Sequence, residues 1–270
     1  MEELAPSRRV IAVIGCQVLE DEVCHVIGSD PDVQSIFVLE SPQATGIADK
    51  LRRLGREQVN EVKPEYLDAA LPRNGLTAVV WIKPIGLHQS PAHLREEVVA
   101  NAKQIAPLCD SILIFYGLCG NAFRGIDDIA EEFNIPLIIL RDAQGLIVDD
   151  CIGAVLGGTD EYRAFLLRDK GGYTLNTMWA ANWRHFMVET QFLRDPNDPE
   201  EVSMVLQCLD YRNVVMLDTG LGDREAFRRQ AEELAHIFGL GNSEEHCTLQ
   251  VVEDSYRKAK SRLREATVHI

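Results

Sequence analysis

The chain has 270 residues, of which 46% are hydrophobic and 26% are charged, and its formal net charge is -15. This length and composition allow one large buried core and argue against long disordered tracts. The acidic balance repels phosphate backbones, so no nucleic-acid partner is expected, and no apolar run is long enough for a membrane helix. Seven cysteines without a targeting segment or a disulfide spacing predict free thiols and a cytoplasmic location.

Buried strands alternate with helices in the first part of the chain. Short runs of β-branched and apolar residues, each followed by a helix-like stretch, indicate strands that feed helices. The predicted strands are 8–15, 35–39 and 77–82, and the predicted helices between them are 47–58 and 64–70. Ser90 and Pro91 match an N-cap and a first-turn proline, so they predict the start of a helix that continues to about Ala106.

The same alternation continues to the carboxyl terminus. The most apolar run, 111–116, predicts a strand that ends at the turn 117–121, and a helix is expected from there to Phe133. Gly171 and Gly172 break a region that is otherwise mostly helical up to Leu209. The remaining predicted strands are 136–140, 213–217 and 248–252.

Six or seven strands separated by helices predict an α/β fold with a mostly parallel, helix-covered sheet, because parallel neighbours need crossover connections. We expect a single domain over residues 1–270, with a helical insertion at about 150–210. The fold is Rossmann-like, but no G-x-G-x-x-G follows the first strand and no P-loop motif occurs, so a dinucleotide or nucleoside triphosphate is not expected. Ligands of such sheets bind at the carboxyl ends of the strands.

Three cysteines and one histidine follow predicted strands, and the fold should bring them to that edge. They are Cys16, His88, Cys119 and Cys151. Thiolate and imidazole donors suit zinc, or alternatively iron or an iron–sulfur cluster. The competing interpretation is that each cysteine is only a small buried apolar residue. That packing interpretation is preferred for the other four cysteines, which are Cys24, Cys109, Cys208 and Cys247.

The turn around Cys119 favours a functional role for this thiol. Gly117, Gly120 and Asn121 surround it and are the predicted cofactor-binding positions. Amides at the start of the following helix are expected to lower the pKa of the Cys119 thiol. Further along the chain, Arg141 and Tyr173 are candidates for orienting an anionic substrate, although Arg141 can instead pair with Asp142. Trp179 and Trp183 are expected to pack in the core or to form a wall of the pocket.

Five ordered motifs give the chain a resemblance to the DUF1638 family. They are Gly15-Cys16, Leu87-His88 with Pro91, Tyr116 to Asn121, Asp150-Cys151-Ile152 and Gly172-Tyr173 followed by Trp179, within about residues 9–238. The resemblance implies an origin in anaerobic bacteria or methanogenic archaea and a link to corrinoid-dependent methyl transfer. It implies shared site positions at Cys16, His88, Cys119 and Cys151. Where relatives have His-Asp-Cys, this chain has Asp149-Asp150-Cys151, so Asp149 becomes a candidate ligand or hydrogen-bond acceptor and Asp150 a candidate helix cap.

Several functional hypotheses follow from these residues. The first is a metal-dependent protein, such as a zinc-dependent thiol or methyl transferase, in which His88 is a fourth ligand or a base. The second is a non-catalytic module that holds a metal, a corrinoid or an iron–sulfur cluster for a partner, and a cluster-based redox protein is a third. The partner would be a small molecule or a corrinoid protein, and the chain can form oligomers. The last alternative is a metal-free protein whose cysteines only pack.

Overall fold

The central sheet of the protein has six strands that all run parallel. The computed structural model describes residues 8–195, 197–208 and 210–265. The strand order is β3-β2-β4-β1-β5-β6, with neighbouring strands in parallel register. These strands are β1 (Arg9–Cys16), β2 (Val33–Leu39), β3 (Val59–Val62), β4 (Leu76–Lys83), β5 (Ser111–Phe115) and β6 (Leu137–Ile139). The prediction of a mostly parallel α/β sheet is therefore confirmed.

Helices cover both faces of this sheet. The helices are α1 (Glu20–Gly28), α2 (Ala44–Arg53), α3 (Leu67–Ala70), α4 (Pro91–Ile105), α5 (Ile126–Ala130), α6 (Cys151–Leu156), α7 (Thr159–Arg168), α8 (Thr177–Glu189), α9 (Pro199–Cys208), α10 (Arg224–Phe238) and α11 (Gln250–Glu265). Apolar residues of α1, α2 and α11 pack in one core, and those of α4 and α5 pack in the core on the opposite face. The large sheet is thus enclosed on both sides, as parallel sheets require.

A second, smaller parallel sheet follows in the chain. It has the order β7-β8-β9, with β7 (Gly172–Leu175), β8 (Asn213–Asp218) and β9 (Gly241–His246). Helices α8 and α10 bury Trp183 and Leu234 in a third core against this sheet. The segment expected to be a helical insertion at about 150–210 contains helices α6 to α9 and also strand β7.

Two sequence predictions are wrong in their element type or length. The segment 248–252, predicted to be a strand, contains the start of α11, which buries Val251 and Val252 against the large sheet. The helix predicted from the turn to Phe133 is only the five-residue α5, because Gly120, Asn121 and Gly125 have left-handed backbone angles. The predicted cap of α4 is confirmed, since the Ser90 hydroxyl accepts a hydrogen bond from the His93 amide.

Among residues 8–195, 197–208 and 210–265, no helix has both the length and the apolar character that are needed to cross a membrane.

Candidate functional site

Three cysteines lie together where the central strands end. Cys16 is the last residue of β1, Cys119 follows β5, and Cys151 is the first residue of α6. Burial is the largest cause of the raised pKa of Cys119, and negative charge on Cys16 adds to it. Burial and then the Asp150 charge raise the pKa of Cys151, with smaller contributions from Cys16 and Cys119. The three sulfur atoms are therefore within electrostatic range of one another.

Two backbone hydrogen bonds join the turn after β5 to the segment before α6 and hold Cys119 beside Cys151. The Leu118 amide donates to the Val148 carbonyl at 2.7 Å, and the Cys119 amide donates to the Asp149 carbonyl at 2.8 Å. Gly117 makes this close approach possible, because a Cβ atom there would lie 2.4 Å from the Val148 carbonyl oxygen. The glycine in the turn after β5 thus positions the segment that leads into α6.

The turn that carries Cys119 has an unusual backbone. Three consecutive residues, Cys119, Gly120 and Asn121, have φ angles of 46°, 65° and 69°. The left-handed region is unfavourable for residues with a Cβ, and such strain is concentrated at functional sites in proteins. Gly120 and Asn121 are exposed in this turn. Their predicted cofactor-binding role stays a prediction.

Burial controls the protonation of the thiols. Burial raises the pKa of Cys16 to about 12, although the Val18 amide, 3.4 Å from Sγ, opposes the shift. Burial, and then the charges of Cys16 and Asp150, raise the pKa of Cys119. The expected lowering of the Cys119 pKa by helix amides is therefore wrong, because the turn encloses the sulfur and α5 begins only at Ile126.

The two acidic residues before Cys151 have different contacts. Asp150 is the N-cap of α6, and its Oδ1 accepts hydrogen bonds from the amides of Ile152 at 2.8 Å and Gly153 at 3.1 Å. The capping interpretation of Asp150 is confirmed. Asp149 contributes its backbone carbonyl to Cys119, and its half-buried carboxylate remains a candidate ligand.

The ring of Tyr116 lies between His88 and the thiols of Cys16 and Cys119. Its Nδ1 is 3.1 Å from the Ile85 carbonyl oxygen, and because a carbonyl only accepts, we assign the proton to Nδ1. Burial lowers the pKa of His88, which favours the neutral ring with an available lone pair on Nε2. The His88 ring stacks on Tyr116 with centroids 6.0 Å apart.

Tyr116 is a site residue whose chemistry the sequence analysis missed. Its side chain is 1% exposed, and within the described residues its hydroxyl has no hydrogen-bond partner. The charges of Cys16 and Cys119 raise the pKa of Tyr116, after burial as the largest cause, so its ring lies near both thiols. In the sequence it is the last apolar residue of a buried strand, which is a pattern that indicates packing alone.

Cys151 also lines a cavity of about 180 Å³ that faces the smaller sheet. Aromatic side chains form much of the cavity wall, and they are Tyr173, Trp179, Phe192 and Tyr211. The Trp179 indole nitrogen donates to the Tyr173 hydroxyl at 2.7 Å, which fixes two of these rings. Trp179 lines this cavity and also packs against two of the apolar cores, whereas Trp183 is buried in the core of the small sheet.

Arg141 is occupied by a different partner from the one expected. Its guanidinium makes two hydrogen bonds to the Asp127 carboxylate, at 2.6 and 2.7 Å, and one to the Gly145 carbonyl at 2.9 Å. The predicted pairing with Asp142 is wrong, because the Asp142 carboxylate accepts from the backbone amides of Gln144 and Leu146. The structure leaves Tyr173, at the cavity of Cys151, as the better-placed candidate for contacting a substrate.

The comparisons with known proteins give a family. A family model described as "Protein of unknown function (DUF1638)" matches residues 82–256, which is more than half of the chain. The chain belongs to the DUF1638 family. The match includes His88, Cys119 and Cys151, and it begins after Cys16. Comparison with curated proteins and with solved structures finds no match.

A buried carboxylate, Glu22, is a second feature of this DUF1638 protein that the sequence analysis missed. Glu22 is 0% exposed, and burial, followed by the Asp21 charge, raises its pKa to about 8. Its Oε1 is 3.5 Å from the Thr219 hydroxyl, and its Oε2 has no partner among the described residues. Burial is the largest cause of the raised pKa of Cys151, and the Glu22 charge adds a small contribution to it. The acidic run Glu20 to Glu22 resembles a solvated first helical turn, which hides this burial in the sequence.

The remaining cysteines of the DUF1638 chain lie outside the cluster of Cys16, Cys119 and Cys151. Cys24, Cys109 and Cys247 are buried, so the packing interpretation is confirmed for them. Cys208, at the end of α9, is exposed, and the packing interpretation is wrong for that residue. Within residues 8–195, 197–208 and 210–265, no group of three or more His, Cys, Asp and Glu side chains has an arrangement that could hold a metal ion.

Proposed function

We propose that this DUF1638 protein binds a soft transition metal, with zinc as the first choice, through Cys16, Cys119 and Cys151. We further propose that it uses this site to transfer a thiol or methyl group. The observation that supports the proposal is that three cysteines distant in sequence pack in one buried cluster at the edge of the sheet, close enough for their charges to interact. Soft thiolates are the donors that zinc and ferrous iron prefer.

The proposal requires the three thiol side chains to converge when the metal binds, because among the described residues their present arrangement is not one that could hold a metal ion. Each thiol has a raised pKa because it is buried, and each is disfavoured as an isolated anion. A nearby divalent cation offsets that cost, so metal binding would be coupled to the release of thiol protons. When bound, zinc supplies a low thiol pKa and hence a nucleophile at neutral pH.

Two side chains next to the thiols have complementary roles in this proposal. The neutral His88 ring offers Nε2 as a fourth ligand or as a proton acceptor, with its orientation fixed by the Ile85 carbonyl. The unpaired Tyr116 hydroxyl is a donor that can stabilise negative charge on Cys16 or Cys119. A thiolate that accepts a hydrogen bond from the Tyr116 hydroxyl would also remove the cost of burying that hydroxyl without a partner, which is about 1–3 kcal/mol.

The cavity at Cys151 is the proposed position of the group that is transferred. Cys151 belongs both to the group of three thiols and to the cavity wall. Aromatic walls leave fewer hydrogen-bond partners around the sulfur atom than water does, and a poorly solvated thiolate is a stronger nucleophile. We assign Cys151 as the metal ligand whose sulfur is closest to the substrate, and Cys16 and Cys119 as the other two sulfur ligands.

Metal content after anaerobic purification tests the proposal. We expect about one equivalent of metal in the wild type and less than about a tenth in each of the Cys16→Ser, Cys119→Ser and Cys151→Ser variants. Cys208→Ser is the matched control and should retain the metal, because Cys208 is exposed and lies outside the cluster. Circular dichroism verifies that each variant is folded.

Two results would contradict the proposal. One is wild-type protein that remains metal-free after incubation with zinc or ferrous iron. The other is an unchanged metal content in all three cluster variants. A visible absorbance band would identify an iron–sulfur cluster in place of zinc.

A further inference from the structure

Two of the aromatic rings that line the cavity at Cys151 meet at a steep angle. The rings of Tyr173 and Tyr211 are edge to face, with centroids 5.1 Å apart and an interplanar angle of 65°. Trp179 is tied to Tyr173 by the hydrogen bond from its indole nitrogen. These three aromatic residues and Cys151 line the same cavity.

The size of the cavity limits what can bind. A volume of about 180 Å³ corresponds to roughly six water molecules at about 30 Å³ each. A ligand group of four to six heavy atoms, on the order of that volume, fits this space. Phe192 also lines the cavity and is 48% exposed, so this side of the cavity borders solvent and can accommodate the rest of a longer ligand.

Two polar side chains of the wall, those of Asn176 and Tyr173, are hydrogen-bonded within the protein. The Asn176 amide donates to the Val18 carbonyl at 2.6 Å and accepts from the Trp179 backbone amide at 2.9 Å. The Tyr173 hydroxyl accepts from Trp179. Among the residues that the structure describes, no lysine or arginine lines the cavity, so the wall offers aromatic rings in place of cationic partners for an anion.

We infer that this cavity is an aromatic cage for a methylated onium group, either a quaternary ammonium or a sulfonium, with a methyl group directed toward Cys151. Cations are attracted to the faces of aromatic rings, and such cages recognise methylated ammonium groups in proteins. The net charge of -15 adds a long-range attraction for cationic ligands. This inference names the substrate class of the proposed transferase, and in that respect it rests on the proposed function.

The transfer starts from the Cys151 thiolate, whose proton passes to solvent when the metal of the proposed function binds, and it ends with a methyl thioether on Cys151. A bond forms between the methyl carbon and sulfur while the bond between that carbon and the onium heteroatom breaks. The heteroatom leaves with the bonding electron pair as a neutral amine or thioether. The thiolate loses its negative charge and the substrate loses its positive charge, so the change favours a poorly solvated site.

Calorimetric titration with three small probes tests the cage. Tetramethylammonium and trimethylsulfonium carry the onium charge, and neopentyl alcohol has nearly the same shape without it. We expect the two ions to bind and the alcohol to bind at least about tenfold more weakly, because cation–π attraction is strong in a desolvated site. The tighter of the two ions identifies the heteroatom.

Paired variants at one position separate the ring from the hydroxyl. Tyr211→Leu should weaken onium binding at least about fivefold, whereas Tyr211→Phe, which keeps the ring, should remain within about twofold of the wild type. Trp179→Leu and Trp179→Phe provide a second pair if the first is poorly folded. Equal binding of the alcohol and the ions, no binding of either ion, or an unchanged affinity in both leucine variants would overturn the inference.

Metal content in the same samples distinguishes this inference from the proposed function. If the protein retains metal but does not bind onium ions, the aromatic cage is contradicted and the proposed metal site is not. If the protein binds onium ions, loses this binding in the leucine variants and takes up no metal, the proposed metal site is contradicted and the cage is not.

Discussion

The two sheets of this protein are built from different kinds of sequence. All eight residues of β4 and seven of the eight in β1 are buried, and they pair with each other along their whole length. In contrast, β9 has the sequence Gly-Asn-Ser-Glu-Glu-His and no buried residue, yet it pairs with β8 over six positions. The large sheet is specified by its own apolar strands, whereas the edge of the small sheet depends on the partner strand that it joins.

This difference extends to the candidate site. The large sheet delivers Cys16 and Cys119 from strand ends, and the small sheet supplies Tyr173 from β7 and Tyr211 from the segment before β8. Cys151 lies where the two contributions meet. The thiols at the edge of the large sheet and the aromatic residues that line the cavity therefore come from separate parts of the chain.

Hydrogen exchange should show the largest contrast between the two sheets. Amides of β4, which is paired on both sides and fully buried, should exchange at least about a hundredfold more slowly than those of β9, because exposed edges open at low free energy. Mass spectrometry of peptides from the two strands measures this ratio. Equal protection in β4 and β9 would mean that the small sheet is as strongly specified as the large one.

Gly117→Ala should damage the link between the turn after β5 and α6. The added Cβ would lie 2.4 Å from the Val148 carbonyl oxygen and 2.8 Å from the Asp150 nitrogen, so the two segments must separate. We expect a loss of about 1–3 kcal/mol in the free energy of unfolding, measured with urea, together with loss of bound metal. The control is Gly46→Ala in α2, where the Cβ has only ordinary contacts and should be neutral or slightly stabilising. Retention of wild-type stability by Gly117→Ala would contradict the role of the two backbone hydrogen bonds between the turn after β5 and the segment before α6.

The buried Glu22 should make the protein less stable as the pH rises. Its folded-state pKa of about 8 lies above the usual 4.5, so the folded chain keeps a proton that the unfolded chain releases. The associated stability is fully present below about pH 4.5 and is lost as the pH rises toward about 8. In the Glu22→Gln variant the unfolding free energy should fall less steeply with pH. At pH 8 this variant should be more stable than the wild type by roughly a few kcal/mol.

An exposed glutamate provides the control for that measurement. Glu65→Gln, in the segment before α3, should leave the pH profile of the unfolding free energy unchanged. Parallel profiles for the wild type and Glu22→Gln would show that the Glu22 carboxyl does not titrate in this range.

Two helix caps should give the smallest effects, one for each sheet. Ser90 caps α4 against the large sheet, and Asp223 caps α10 against the small one, with the Ala226 amide at 2.9 Å from its carboxylate. Replacing either residue with alanine should cost about 0.5–2 kcal/mol, and Asp223→Ala should cost more because its charge also favours the helix dipole. Thermal unfolding that shows no loss in Asp223→Ala would contradict the assigned cap.

Sequence reasoning recovers the parts of this protein that local patterns determine. The buried strands of the large sheet, the caps at Ser90 and Asp150, and the fold class are all predictable from apolar runs and capping residues. Strand β9 is not predictable in this way, because its polar sequence carries no strand pattern. Val251 and Val252 suggest a strand, although tertiary burial places them in a helix.

Only part of the candidate site can be predicted from the sequence, because local patterns do not report which elements pack together. Cysteines at strand ends are recognisable because parallel strands share an edge, and Tyr173 and Trp179 lie close together in sequence. Burial of Glu22 and the unsatisfied hydroxyl of Tyr116 depend on which elements pack over them. Tyr211 reaches the cavity from a segment with no motif.

X-ray absorption at the metal edge is the most direct test of the proposed site. The measurement uses anaerobically purified protein loaded with zinc and reports the atoms bound to the metal. The account predicts three sulfur neighbours at about 2.3 Å, with a fourth nitrogen or oxygen neighbour at about 2.0–2.2 Å. A first shell made only of nitrogen and oxygen would contradict the assignment of Cys16, Cys119 and Cys151 as ligands.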